Sequence, residues 1–317
     1  MVDRHARRYR AGDMSERELV ILGTASQVPT RTRNHNGYLL RWDGEGWLFD
    51  PGEGTQRQLT LAGVSAASID RICITHLHGD HCFGLPGVLQ RMELDQVMRT
   101  VELWCPSSGA VYVERLRGAV IGRPTMPLQI HPSEAGLLAE TERFRLIARR
   151  LDHRVDALGY RIEEPDGRRM VPERLREHGI EGADIGRLQD AGRIELRDRV
   201  IDLDEVSEPR PGQVFSFVMD TRMCDGAFEL AEGADLLVCE STYLEEHAGL
   251  AERYGHLTAA QAATIARDAK ARRLVLTHFS QRYDDLPRRV LAEASAVYDG
   301  EIVVAEDLSS VLLPPRR

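Results

Sequence analysis

Thr75-His76-Leu77-His78-Gly79-Asp80-His81 continues directly from the apolar run Arg71-Ile72-Cys73-Ile74. The run, rich in β-branched residues, reads as a buried strand, and the loop after it carries four metal-ligand side chains within six residues. In open α/β sheets the loop at a strand's carboxyl end is where ligands bind. His76 and His78, two apart on an extended segment, point to the same side and can serve one metal. Asp80 and His81, past the Gly79 turn, can reach a second metal about 3.5–4 Å away, the usual separation in a two-metal site. Structural histidines scattered through a fold do not cluster at this density.

Two metals need further ligands, and the rest of the chain offers them at comparable places. His153 follows the run FRLIARRL, Asp220 follows VFSFVM, and His278 follows RLVLT. Each is a ligand-type residue set after an apolar β run. A carboxylate such as Asp220 can bridge two cations, because each oxygen has lone pairs and its charge offsets theirs.

Outward from these points the chain alternates strands and helices. Strands are expected at 19–23, 37–42, 47–50, 71–75, 101–104, 144–151, 214–219, 236–239, 274–277 and 301–305. Helices are expected at 53–62, 85–94, 108–118, 227–232, 258–269 and 287–297, with Thr258 as a cap. This is an α/β pattern with much hairpin character. The segment 165–205 differs. Between Asp166 and Arg199 it has eight arginines and eight acids, with sparse apolar residues and no sustained period. It reads either as a solvated surface excursion or as a projecting arm that grips a partner.

Composition narrows the class. The chain has 317 residues, 42% hydrophobic and 29% charged, enough to bury a substantial core and unlike a disordered polymer. Its formal charge of -9 argues against a generic DNA coat, though not against a local basic patch. No apolar run approaches the roughly 20 residues that span a bilayer. The basic N-terminal tail, residues 1–17, has no apolar core behind its arginines and so does not read as a secretory signal. The five cysteines are scattered, odd in number and without CxxC spacing, as expected of reduced thiols in a cytoplasmic protein.

HxHxDH after a strand, with distant His, Asp and His at strand ends, resembles the metallo-β-lactamase fold. Further segments narrow the likeness: Gly23-Thr24-Ala25-Ser26, Arg33-Asn34-His35-Asn36-Gly37, Phe49-Asp50-Pro51-Gly52-Glu53-Gly54-Thr55-Gln56-Arg57-Gln58, Gly255-His256-Leu257-Thr258-Ala259 and Thr277-His278-Phe279-Ser280-Gln281-Arg282-Tyr283. Together they resemble the ribonuclease Z family, endonucleases that remove 3′ trailers from precursor tRNA. The resemblance spans roughly residues 18 to 310.

That resemblance implies an αβ/βα sandwich in a single domain, 18–317, with residues 165–205 as an inserted arm that binds tRNA. It implies two Zn2+ per chain, with other divalent ions such as Mn2+ able to substitute. His76, His78, His153 and Asp220 would surround one ion, and Asp80, His81, Asp220 and His278 the other. Asp80 would also accept a proton from the attacking water, and Glu240 with His256 would form a couple beside the leaving group. Precursor tRNA is the implied partner, with neither DNA nor membrane, and a homodimer the implied assembly. Where the family carries a Gly-Pro step near the arm tip, this chain has Gly182-Ala183. Read from the residues alone, the alternative is a phosphodiesterase or arylsulfatase of the same fold acting on small molecules, which would need no arm.

Overall fold

The computed structural model describes residues 17–122, 125–196, 199–283 and 287–317. The N-terminal tail, apart from Arg17, lies outside the described residues. Two seven-stranded sheets face each other. In the first the order is Ser310–Leu312, Glu18–Gly23, Gly37–Trp42, Glu45–Phe49, Ile69–Cys73, Val101–Pro106 and Leu128–Ser133. In the second it is Glu301–Val304, Arg273–Thr277, Leu236–Glu240, Val214–Val218, Ala157–Glu163, Arg145–Leu151 and Gly136–Glu140. The α/β sandwich expected from the sequence is the fold observed.

The strand Glu18–Gly23 shows how the layers form. Successive side chains point to opposite faces. Leu19 and Ile21 enter the core between the sheets, while Val20 and Leu22 pack outward with Leu85, Val88, Leu89 and Met92 of the helix Leu85–Leu94. Both faces being covered, the strand reads as an unbroken apolar run rather than an alternation. Aromatic rings fill the middle: Phe49 lies 4.7 Å from Phe217 of the opposite sheet, and Trp47 meets Phe144 edge-on at 4.9 Å.

The topology decides where the site lies. In each sheet a block of four strands runs parallel: Glu45–Phe49 to Leu128–Ser133 in one, Val214–Val218 to Glu301–Val304 in the other. Their carboxyl ends meet at one edge of the sandwich, stitched by Leu158 N–H to Thr75 O (2.9 Å) and Phe279 N–H to Thr24 O (2.8 Å).

Four strands carry little signal in the sequence: Leu128–Ser133, Gly136–Glu140, Ala157–Glu163 and Ser310–Leu312. Ala157–Glu163 is central, yet Gly159 and Arg161 break its apolar run. A Cβ on Gly159 would fall 2.3 Å from the Leu230 side chain, so helix packing dictates the residue that hides the strand.

Residues 167–210 form two small two-stranded antiparallel sheets and three short helices that pack chiefly on one another. They have a core of their own, made of Leu175, Ile180, Leu188, Ile194, Ile201 and Val206. Spread over five elements and a turn, those residues show no period along the chain. At the base, Glu164 draws together Arg17, Arg210 and Arg316.

Candidate metal centre

The loop after Ile69–Cys73 bends at Thr75, is extended at His78 and then turns into a single helical turn, Gly79–Cys82. A Cβ on Gly79 would lie 2.4 Å from the Phe83 ring, and one on Gly52 would lie 2.2 Å from the Asp80 carbonyl. The glycines thus let the Phe83 ring and neighbouring backbone close over the loop. Asp50, Asp220 and His278 each follow a strand and hold φ of 44°, 29° and 61°. This backbone costs energy in a residue other than glycine, and it persists here where three strand ends converge.

The seven predicted ligands come together in two groups. His76 Nε2, His78 Nδ1, His153 Nε2 and Asp220 Oδ2 form the first. His76 and His153 place their nitrogens 2.9 and 3.3 Å from His78 Nδ1, and 3.5 and 3.7 Å from Asp220 Oδ2. Asp80 Oδ2, His81 Nε2, His278 Nε2 and Asp220 Oδ1 form the second, with contacts of 3.1 to 3.6 Å. Donors about 2.1 Å from a tetrahedral metal lie about 3.4 Å from one another. Asp220 offers a different oxygen to each group.

The rings are held from behind. His81 Nδ1–H donates to Asp50 Oδ2 at 2.8 Å, and His153 Nδ1–H donates to the Gly255 carbonyl at 2.8 Å. Thr75 Oγ1–H donates to Asp50 and so accepts from His76 Nδ1 at 3.1 Å. Thr242 repeats this on the other side, donating to Glu240 and accepting from His278 Nδ1 at 2.7 Å. Each of these four rings therefore keeps an Nε2 lone pair for the cleft.

Electrostatics fits cations. Burial pushes His76 well below the usual imidazole range and lowers His78 and His153, so these rings are neutral. Burial opposes charge on His81 too, but Asp220, Asp80 and Asp50 together carry it well above its ordinary value. That cluster of carboxylates calls for positive charge. Asp220 Oδ1 and His278 Nε2 are buried without any hydrogen-bond partner, a costly arrangement for a protein to keep unless the atoms have another use. The donor set, the spacing and these orphaned atoms fit metal ions.

Beside the second group, His256 Nδ1 lies 3.0 Å from Glu240 Oε1, which also accepts from Thr221 N–H at 2.8 Å. Burial works against a charged His256, but Glu240 and Asp220 bring it up to about 9. His78, Asp80, His153, Asp220, His278 and His256 open on a cavity of about 350 Å³ rimmed by Gln27, Arg154, Tyr243, Tyr254 and Arg282. Asp50, Thr75, Thr242 and Gly255 serve the site although sequence reasoning assigns them no such role. Asp50 does carry the signal used for Asp220, a carboxylate directly after an apolar strand. Thr242 and Gly255 carry none, because only the fold brings them to the rings.

Facing sheets with paired His/Asp clusters at their strand ends define a metallo-β-lactamase-fold protein with a metal site. Residues 206–279 match the family model described as beta-lactamase superfamily domain, and residues 17–123 match one described as anti-Pycsar protein Apyc1. The short form of human tRNase Z is 28% identical with a TM-score of 0.68, over 94% of this chain and 100% of that one. Ribonuclease Z of Streptomyces coelicolor is 58% identical over 305 residues, 96% of this chain and 100% of the relative. That of Nocardia farcinica is 57% identical over 306 residues, again 96% and 100%. The chain belongs to the ribonuclease Z family, and the small-molecule alternative is not favoured. Among the described residues no helix is long and apolar enough to cross a membrane.

Proposed function

We propose that this chain is a metal-dependent endoribonuclease that removes the 3′ trailer from precursor tRNA, using two zinc ions held by the seven ligands. The observation that carries this reading is Asp220, whose two oxygens face separate donor groups. Bound there, two divalent ions would lower the pKa of water and offset charge on the phosphodiester, with Mn2+ a workable substitute. Asp80 faces the same cleft and accepts the proton of the attacking water. Burial works against its charge, but His81 and His278 hold its carboxyl well below the usual range. His256, its Nδ1 committed to Glu240, presents Nε2 to the departing 3′ oxygen and gives it a proton. The products are a tRNA ending in a 3′-hydroxyl and a trailer beginning with a 5′-phosphate.

Residues 165–205 act as the tRNA-binding arm, in a homodimer whose one arm holds the tRNA cut by the other subunit. The enzyme works in the cytoplasm and takes neither DNA nor membrane as partner. The test is to incubate the zinc-loaded protein with a 3′-extended precursor tRNA and map both new ends. A cut at the trailer junction with a 3′-hydroxyl is expected. A cyclic or 3′-phosphate end, or no cut, overturns the reading.

A further inference from the structure

Tyr254 closes the helix Ala248–Tyr254 at the lip of the cleft, one residue before Gly255, whose φ of 77° ends the helix. Tyr254 is 37% exposed as a residue, while Gly255 is buried and its carbonyl holds His153. Two guanidinium groups flank the ring, Arg154 at 6.0 Å and Arg253 at 5.5 Å from its centroid. Both arginines are exposed, and neither has a carboxylate partner among the described residues. This contrasts with Arg168, Arg169, Arg174, Arg176 and Arg187 of the arm, all of which are ion-paired.

We infer that Tyr254 is a stacking platform for one nucleobase of the substrate, with Arg154 and Arg253 meeting the phosphates beside it; this rests on the proposed RNA cleavage. A partly exposed aromatic residue beside cations that lack carboxylate partners matches a single-stranded nucleotide, which offers a π face and a negative backbone. The position also selects the nucleotide. His256 gives its proton to the released 3′ oxygen, and Tyr254 lines the same cavity, its Cα two residues away and so within about 7 Å of that of His256. The base on Tyr254 therefore belongs to the nucleotide that carries the released oxygen, the last of the mature tRNA. Tyr254 is a specificity-determining residue for that nucleotide.

The test is a cycle between side chain and base. Precursor tRNAs with and without a base at that nucleotide are cleaved by the parent enzyme, Tyr254→Ala and Tyr254→Phe, and kcat/KM is compared. Removing the base should cost the parent about 5- to 150-fold, the scale of one base–aromatic stack. Tyr254→Ala should lose as much on the intact RNA and nothing further on the abasic one, and Tyr254→Phe should behave as the parent. Independent, multiplying losses overturn the inference, as does a parent enzyme indifferent to the base, an outcome that needs no variant. A parent that cuts neither RNA overturns the proposed function as well.

Discussion

At the metal centre His76, His81, His153 and His278 are each gripped from behind by a buried group, whereas in residues 167–210 Arg168, Arg169, Arg174, Arg176 and Arg187 pair with acids at the surface of the same segment. Surface pairs of that kind contribute little to stability, and their partners can be exchanged. A carboxylate or phosphate arriving from outside can take over an arginine at small cost. The ligand rings have no such freedom, since turning one would strand a buried donor or acceptor. One region is fixed in advance of any substrate, and the other is free to adapt to one.

Asp220→Ala should give the largest effect, because it takes a charge and an oxygen from both ligand groups at once. Metal content should fall at both positions, and cleavage of precursor tRNA should drop further than on loss of His256 or Asp50. Metal analysis of the purified variant and single-turnover cleavage give the two readings. Two metals per chain with near-parental turnover would break the shared-ligand assignment.

His256→Ala should lower turnover by about 10²–10⁴-fold, the usual scale for a general acid, with metals retained. Its pH profile carries the sign. With the proton affinity raised to about 9, His256 is charged at neutral pH, and activity falls as pH rises and the proton leaves. Bound cations repel that proton, so the alkaline limb lies at or below about 9. The variant should lack this limb, and a small diester with a nitrophenolate leaving group should be far less affected. Equal losses on both substrates would take the acid role from His256.

The sequence shows the fixed region better than the adaptable one, for a physical reason. A metal ligand must be His, Asp, Glu or Cys, and strand geometry delivers it to a strand end, so residue type and local position together reveal it. The same logic reaches Asp50, which follows Glu45–Phe49 as Asp220 follows Val214–Val218. It does not reach Thr242, whose place beside His278 depends on Leu236–Glu240 lying parallel to Arg273–Thr277. Nor does it reach Leu175 or Ile201, each of which is apolar in a charged neighbourhood and buried only once the short elements of the segment fold onto one another.

Asp50→Ala tests how much the support behind the rings contributes. It touches no cleft-facing atom, yet it removes the acceptor of His81 Nδ1 and of the Thr75 hydroxyl that holds His76. Metal affinity should fall by about 10–100-fold, as for partners behind other metal ligands. Competition with a chelator measures it. Unchanged affinity would mean that packing alone orients the rings.

Leu188→Ala has the smallest expected effect on the molecule as a whole, and it sharpens the contrast most. Leu188 is fully buried, but in the small core of residues 167–210 rather than between the sheets. Such a truncation costs about 2–5 kcal/mol, more than a six-residue apolar cluster can readily absorb. The segment should open as a unit while the sandwich stays closed, because its elements pack chiefly on one another. Hydrogen exchange should quicken at the amides of Leu175, Ile180, Gly192 and Leu203, all bonded within the segment, and stay slow at Leu158, bonded to Thr75 in the metal loop. Metal content and the main melting transition should match the parent, and precursor tRNA should bind more weakly. If the melting transition dropped in step with the segment, the two regions would be one cooperative unit, and the division between a fixed centre and an adaptable arm would fail.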